Sequence, residues 1–249
     1  MLRVRQWELQ QVRRPTGQSW QSEGFYNMKK QEGGRQTYVF LAVMCLLVAV
    51  VAAAAFSRAK SLEKIVFREH LDDTAVTVDG SEYKFRDVAF YVAYQEMETQ
   101  KQAKVYDLEH AGKYWNIHTN GSFLRVEAKS MAVQMAVHDV IFYDMAVKED
   151  AALTEEERIY MENRKADFWS DLEEEGQKRL GIQEEELEEV FLRMALAQKE
   201  QQRYADAQGV DYREYNVNGD SYRELLKTHT YEINDALWDR LDFGKITVN

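Results

Sequence analysis

Residues 74–92 read TAVTVDGSEYKFRDVAFYV, with a short β-prone run on each side of Asp79-Gly80 and apolar helical sequence after it. An Asp-Gly pair suits a tight type I′ turn, because both central positions of that turn adopt positive φ. The pattern therefore predicts a β-hairpin over residues 74–85 that leads directly into a helix. The sole proline of the chain, Pro15, lies far upstream, so no proline ring interrupts the helices that follow.

Apolar residues at helical spacing predict four helices after the hairpin. The first spans about 86–117, and we expect its polar middle, QEMETQKQAK, to be solvated. The second, about 122–149, is apolar over much of its circumference, which is typical of a central helix. The third follows a capping box at Thr154 and ends near Leu180, and the fourth spans about 184–209. The apolar face of the first helix is expected to carry Val88, Val92, Val105, Leu108 and Trp115.

The last part of the chain is expected to return to the hairpin. A second capping box, Ser221-Tyr222-Arg223-Glu224, opens a predicted amphipathic helix over residues 221–242. A short strand at about 245–248 follows, and the hairpin over 74–85 is the β-prone segment that could pair with it. The predicted fold is mainly α, with a small hairpin closed by this C-terminal strand.

One segment, residues 37–56, reads TYVFLAVMCLLVAVVAAAAF and carries no charge. As a helix it would be about 30 Å long, the thickness of a bilayer core, which predicts one transmembrane signal anchor. A cleaved signal peptide is the alternative, because Ala53-Ala54-Ala55 resembles a cleavage site, although the apolar run exceeds the usual length of about 7–15 residues. Cys45, the only cysteine, lies inside this segment, so no internal disulfide framework is expected.

The charges divide around the apolar segment. Residues 1–36 carry seven Lys and Arg against three Glu, a net charge of +4, while the whole chain carries −11. Residues 57–249 therefore carry −15, which argues against nucleic acid as a partner. Basic residues precede the segment and follow it, so the local charge by itself does not decide the orientation.

These observations predict four parts. Residues 1–36 form a disordered basic tail in the cytoplasm, and Met28-Lys29-Lys30 resembles a natural start of a signal anchor, so residues 1–27 need not be translated. A linker over 57–73 then connects the anchor to a helical domain over 74–249.

The sequence predicts no catalytic, cofactor or metal site. The five histidines are scattered, and no HExxH, GxSxG, P-loop or GxGxxG pattern occurs. Runs of acidic residues such as Glu155-Glu156-Glu157 are expected to be solvated or to cap helices. His138 and Asp139 are adjacent on a helix, so we expect their side chains to point to different faces.

Binding is the remaining function. Aromatic residues make up 12 % of the chain and alternate with charged residues, and flexible Met side chains adapt to varied sequences. A concave face that exposes these side chains would hold apolar segments of unfolded polypeptides. The candidate peptide-binding residues are Tyr91, Tyr94, Met131, Met135, Tyr160 and Trp169.

The order of these parts resembles the N-terminal domain of the SurA/PrsA/trigger-factor group of extracytoplasmic chaperones. Three elements carry the resemblance, which covers about residues 72–206: Val78-Asp79-Gly80, Leu153-Thr154 through Glu157, and Gly181-Ile182 with Leu187. It implies a SurA N-like helical domain, anchored in the cell membrane and facing outward, that binds unfolded or secreted polypeptides.

Many proteins of that group also insert a parvulin prolyl-isomerase domain before the returning segment. Only about a dozen residues separate Gly209 from Ser221, so the sequence predicts that this domain is missing and that the protein is not an enzyme.

The alternative hypothesis is a non-catalytic scaffold or adaptor that binds one specific partner in the cell envelope. Long acidic helices with capping boxes are common in membrane-tethered scaffolds as well. A continuous cradle of exposed aromatic side chains would favour many clients, and a single patch would favour one partner. A homo-oligomer is compatible with both hypotheses.

Overall fold

The computed structural model describes residues 42–56, 58, 63–119 and 121–248. The chain divides into two compact units, residues 1–59 and 60–249, and each is described by itself. In the first unit, residues 42–56 form an exposed helix. Among the described residues, no helix combines the length and the apolar character needed to cross a membrane. The predicted tail over 1–36 and the first residues of the predicted anchor over 37–56 lie outside the described residues.

The second unit begins within the predicted linker over 57–73. Residues 57 and 59–62 of that linker lie outside the described part. From residue 63 onward the chain belongs to the folded unit, where Ile65 forms a parallel bridge with Leu241. Phe67, in the short 3₁₀ helix Phe67–Glu69, is buried in the core.

The predicted hairpin is confirmed. Strands β1 (Thr74–Val78) and β2 (Ser81–Lys84) pair antiparallel, with Val78 opposite Ser81. Asp79 and Gly80 form the turn with φ of +47° and +85°. Both values lie in the left-handed region that this turn requires, which explains the Asp-Gly pair.

The hairpin is followed by helix α1 (Phe85–Tyr106), which is shorter than predicted. It ends because Asp107 is extended and its carboxylate accepts hydrogen bonds from the backbone N–H groups of Glu109 and His110, both at 3.1 Å. A short helix α2 (Ala111–Tyr114) and a two-residue hairpin, β3 (His118–Thr119) with β4 (Ser122–Phe123), come next. Of the residues expected on the apolar face, Val88, Val92 and Trp115 are buried, whereas Val105 and Leu108 are 90 % and 77 % exposed.

The predicted central helix is confirmed as α3 (Leu124–Lys148), which packs against α1 and most extensively against α6 (Leu187–Gln208). Its buried side chains are mostly small or β-branched. Helix α6 follows the 3₁₀ helix Glu184–Glu186 and ends at Gly209, whose φ of +69° is that of a left-handed C-cap, as predicted.

Helix α4 (Glu155–Asp171) starts at the predicted capping box: the Thr154 hydroxyl accepts from the Glu157 N–H at 3.2 Å, and the Glu157 carboxylate accepts from the Thr154 N–H at 2.7 Å. The helix stops earlier than predicted, because Leu172 is extended and buried. The Gln177 amide donates to the Leu172 carbonyl at 2.9 Å, and α5 (Glu174–Leu180) continues the chain.

The predicted helix over 221–242 is wrong. The chain forms α7 (Asp220–Leu226), then β5 (Tyr231–Ile233), then α8 (Asp235–Trp238), and α7 begins one residue before the predicted capping box. The helix is interrupted because the Thr230 N–H donates to the Asp79 carboxylate at 2.7 Å, which holds this segment beside β1.

The sheet partner was also predicted wrongly, since β1 pairs with β5 and not with a strand at 245–248. The sheet has the order β2-β1-β5 and is antiparallel. The backbone N–H groups of Gly244, Ile246 and Thr247 donate instead to the carboxylate of Glu96. Glu96 lies in the polar middle of α1 that was expected to be solvated, and it is fully buried. Its carboxylate replaces a strand as the partner of the C-terminal residues.

Candidate functional site

The six predicted peptide-binding residues are spread over three helices, and most of them belong to the core. Tyr91 is 1 % exposed, and its hydroxyl donates to the Asp139 carboxylate at 2.9 Å. Tyr94 is half-buried and stacks on Phe90, with ring centroids 5.6 Å apart. The Tyr91 side chain is therefore not free to meet a ligand, and the Tyr94 side chain exposes only part of its surface.

Met131, Met135 and Trp169 are partly buried. The Met135 sulfur accepts a hydrogen bond from the Gln95 amide at 3.0 Å, and Trp169 packs against the core. Tyr160 is different, because it is 63 % exposed and the Arg164 guanidinium lies 5.8 Å from its ring centroid. The predicted continuous cradle of aromatic and Met side chains is therefore not formed by these six residues.

One groove lies between α3, α7, β5 and α8, and we call it the main groove. Its volume is 460 Å³, within the range of about 300–1,000 Å³ that is usual for ligand sites. Its lining is largely apolar. The apolar side chains that define it are Val126, Val133, Val137, Leu226, Ile233 and Trp238.

Local structure explains how these residues meet. Val126, Val133 and Val137 recur at helical spacing, so they share one face of α3. On the opposite side, the Trp238 indole N–H donates to the Ala75 carbonyl at 2.9 Å, which fixes α8 against β1. Ile233 lies on β5, which precedes α8. The groove thus depends on the returning C-terminal segment.

The rim of the main groove is polar. Lys129 donates to the Asp239 carboxylate at 2.9 Å and to the Trp238 carbonyl at 3.2 Å, so it ties α3 to the end of α8. Arg223 forms an ion pair with Asp220. An apolar floor with a charged rim is suited to bind apolar side chains of a ligand while its polar backbone stays near the edge.

A second groove lies between α4 and α6, and we call it the side groove. Its volume is 330 Å³, and it includes Tyr160, Met161, Phe191 and Met194. The Lys199 ammonium closes one side by an ion pair with Glu157 at 2.7 Å. Tyr160 alone among the six candidates lines one of these two grooves.

A chain of buried polar groups runs behind the main groove, and the prediction that His138 and Asp139 diverge is wrong. His138 Nδ1 lies 2.8 Å from the Asp139 carboxylate, and His138 Nε2 lies 2.9 Å from the Tyr215 carbonyl. The two side chains converge because both are buried, and a buried polar group without a partner is costly. Burial, and then the nearby Asp139 charge, raise the pKa of Tyr91 well above its ordinary value.

This buried chain ties α1, α3 and the 3₁₀ helix Tyr212–Tyr215 together. Tyr222 separates it from the main groove: its ring meets that of His138 edge-on at 4.8 Å, and Tyr222 itself lines the groove. Burial raises the pKa of Tyr222 as well. The arrangement is suited to fix the groove wall, not to present a nucleophile.

No group of three or more His, Cys, Asp and Glu side chains in the described residues is arranged to hold a metal ion. The acidic run Glu155-Glu156-Glu157 occupies the first turn of α4, and Glu157 serves there as the cap described above. Acidic residues in a first turn are stabilised by the helix dipole, which accounts for this run.

Comparisons with protein-family models, with curated proteins and with solved structures find no match to this chain. The resemblance to the SurA/PrsA/trigger-factor group stays a prediction.

Sequence reasoning missed the main groove because it chose Tyr, Trp and Met candidates, and six of the sixteen residues that line the groove are Val, Leu or Ile. The available signal was the valine-rich face of α3, on which Val126 is 42 % exposed.

Proposed function

We propose that this protein binds extended or unfolded polypeptide segments without catalysis, and that the main groove is the site. The open apolar floor between α3 and β5 is the observation that supports this proposal. Location in the cell envelope, through an anchor at residues 37–56 and with the domain facing outward, is part of the same proposal and rests on the sequence alone. It includes chaperone-like activity toward secreted polypeptides.

An adaptor that binds one specific partner is the second candidate. The burial of Tyr91 and the packing of Tyr94 and Trp169 against the core favour it, because these side chains offer little surface to a broad range of clients. A groove of this size holds a few side chains, not a long unfolded segment. Both candidates use the main groove, and they differ in how many sequences it accepts.

Two variants of the same helix test the site. Val126→Glu places a charge in the main groove, while Val147→Glu places the same charge on a part of α3 that does not line it. The two valines are 42 % and 52 % exposed, so both variants are expected to fold. Residues 60–249 form a compact unit with their own core and can carry both variants.

The assay is suppression of the aggregation of a reduced, denatured client at near-stoichiometric ratio. We expect suppression by the wild type and by Val147→Glu, and loss of suppression by Val126→Glu. If the wild type has no effect at several-fold excess, the chaperone-like function is refuted. Binding of one envelope protein, sensitive to Val126→Glu but without any effect on generic clients, would identify the adaptor.

A further inference from the structure

Strand β5 lies at an edge of the sheet, and four of its six backbone N–H and C=O groups point away from β1. The Thr230 carbonyl accepts from the Asp79 N–H at 2.8 Å, and the Asn234 N–H donates to the Ala75 carbonyl at 3.1 Å. Backbone groups alternate in direction along a strand, so residue 232 also faces β1. The N–H and C=O groups of Tyr231 and Ile233 therefore face the opposite side.

Those four backbone groups form no hydrogen bond within the part of the chain that the structure describes. The side chains of the same two residues, Tyr231 and Ile233, line the main groove. An unpaired strand edge is a template for another extended chain. Tyr231 and Ile233 therefore supply both the unpaired strand edge and part of the lining of the main groove.

The charges of the rim indicate the sign of the charge that a partner should carry. Lys129 is paired with Asp239, and Arg223 is paired with Asp220. Asp235, two residues beyond Ile233, also lines the main groove and has no ion pair among the described residues. The Asp235 carboxylate, which has no ion-pair partner there, favours a basic residue on the ligand.

We propose that an extended segment of a partner polypeptide, apolar at alternate positions and carrying Lys or Arg, pairs with β5 as an added strand in the main groove. The backbone bonds give affinity, and the apolar floor selects the alternate side chains. The net charge of −15 on residues 57–249 disfavours a second copy of this chain as the occupant. This binding mode rests on the proposed function and specifies how that function is performed.

The test uses the full chain in detergent micelles and a synthetic peptide of alternating valine and lysine residues. Two versions of the peptide carry backbone N-methyl groups, one on its valines and one on its lysines. In a bound strand, the N–H groups of all the valines point to one side and those of all the lysines point to the other side. N-methylation therefore removes the donors that face β5 in only one of the two versions. We expect that version to bind about tenfold or more weakly than the parent peptide, and the other to bind nearly as well.

Amide hydrogen exchange locates the added strand. The bound parent peptide should slow exchange at Tyr231 and Ile233 and leave Ser81–Lys84, on the other edge of the sheet, unchanged. A peptide with glutamate in place of lysine should bind more weakly, because it meets Asp235 with a like charge. Protection of β2 instead, or equal binding of the glutamate peptide, would overturn the proposal.

The outcomes separate this inference from the function on which it rests. If both N-methylated peptides bind equally well and Val126→Glu abolishes binding, the groove binds peptides but no strand is added. If neither the parent peptide nor a denatured client binds the wild-type chain, the proposed function fails as well. A dimer of the free protein with Tyr231 and Ile233 already protected would assign the edge to a second copy and contradict the proposal.

Discussion

The substitution Gly244→Ala tests how tightly the C-terminal residues are bound to the folded unit. Gly244 has a φ of +94°, which L side chains rarely adopt, and a Cβ at this position would lie 2.7 Å from Cδ2 and 2.8 Å from Cε3 of Trp115. The indole has little freedom to move, because its N–H donates to the Gln100 side chain at 2.9 Å and both residues are buried. The Gly244 N–H is bound to the Glu96 carboxylate, so the backbone is held as well.

The size of the effect follows from a matched control. Gly121 has a similar φ of +89°, and nothing lies within 4 Å of a Cβ built there. A left-handed conformation costs an alanine about 1–2 kcal/mol, and the loss of glycine freedom in the unfolded chain offsets about 0.4–1 kcal/mol of that. Gly121→Ala should therefore lower the free energy of unfolding by about 1 kcal/mol. The overlap with Trp115 adds about 1–3 kcal/mol, so Gly244→Ala should lower it by about 2–4 kcal/mol.

Urea unfolding of residues 60–249, followed by circular dichroism, measures both variants. The expected result is a lower midpoint for Gly244→Ala than for Gly121→Ala with an unchanged slope, since the slope reports the surface exposed on unfolding. Equal midpoints would refute the reasoning, because they would show that the C-terminal residues do not press against Trp115.

Three other predictions concern contacts between distant parts of the chain or at helix ends. Glu96→Leu removes the acceptor of the hydrogen bonds from Gly244, Ile246 and Thr247, so amide exchange should become fast at these residues while α6 stays protected. Loss of protection in α6 would show that the effect is not local and would contradict this prediction. The Thr230 N–H and then His229 lower the pKa of Asp79 below its ordinary value of 3.8, so its ionised form stabilises the fold. Asp79→Asn should therefore lower the urea midpoint at pH 7. The difference in midpoint from the wild type should shrink as the pH falls below 3.8 through the folded-state pKa of Asp79. A difference that stays constant with pH would count against the contact of Asp79 with Thr230 and His229. Thr154→Ala should lower the free energy of unfolding by about 0.5–2 kcal/mol, while Thr154→Ser, which keeps the capping hydroxyl, should change it little.

The features that sequence reasoning predicted correctly are those encoded by neighbouring residues. Asp79-Gly80 adopts the positive φ values of its turn, and Gly209 ends its helix in the left-handed conformation. The box at Thr154 makes both of its hydrogen bonds. Each of these signals needs only a few adjacent residues, so the remainder of the fold does not override it.

The predictions that failed depend on residues far apart in the chain. Ile233 fits a helical repeat, yet Tyr231–Ile233 form a strand because β1 and Asp79, about 150 positions earlier, offer hydrogen bonds. In the same way, the residues after Gly244 pair with the buried Glu96 and not with the hairpin. No local pattern marks Glu96 as buried, since it stands in a polar run.

The candidate site could be predicted in part. The apolar face of α3 is readable from the spacing of Val126, Val133 and Val137, but the opposite wall consists of β5 and α8, which were predicted as one continuous helix. A groove between them was therefore not visible from the sequence. Residue type was a poor guide as well, because Tyr91 and its hydroxyl serve the buried contact with Asp139.

Photo-crosslinking from the main groove tests the central claim most directly. A photoreactive amino acid replaces Val126 in one sample and Val147 in another, and each purified protein is irradiated with the same fluorescent, denatured client. A peptide-binding groove predicts a strong crosslink from position 126 and little from position 147. Equal crosslinking from both positions, or crosslinking from position 147 alone, would contradict the assignment of the main groove as the binding site.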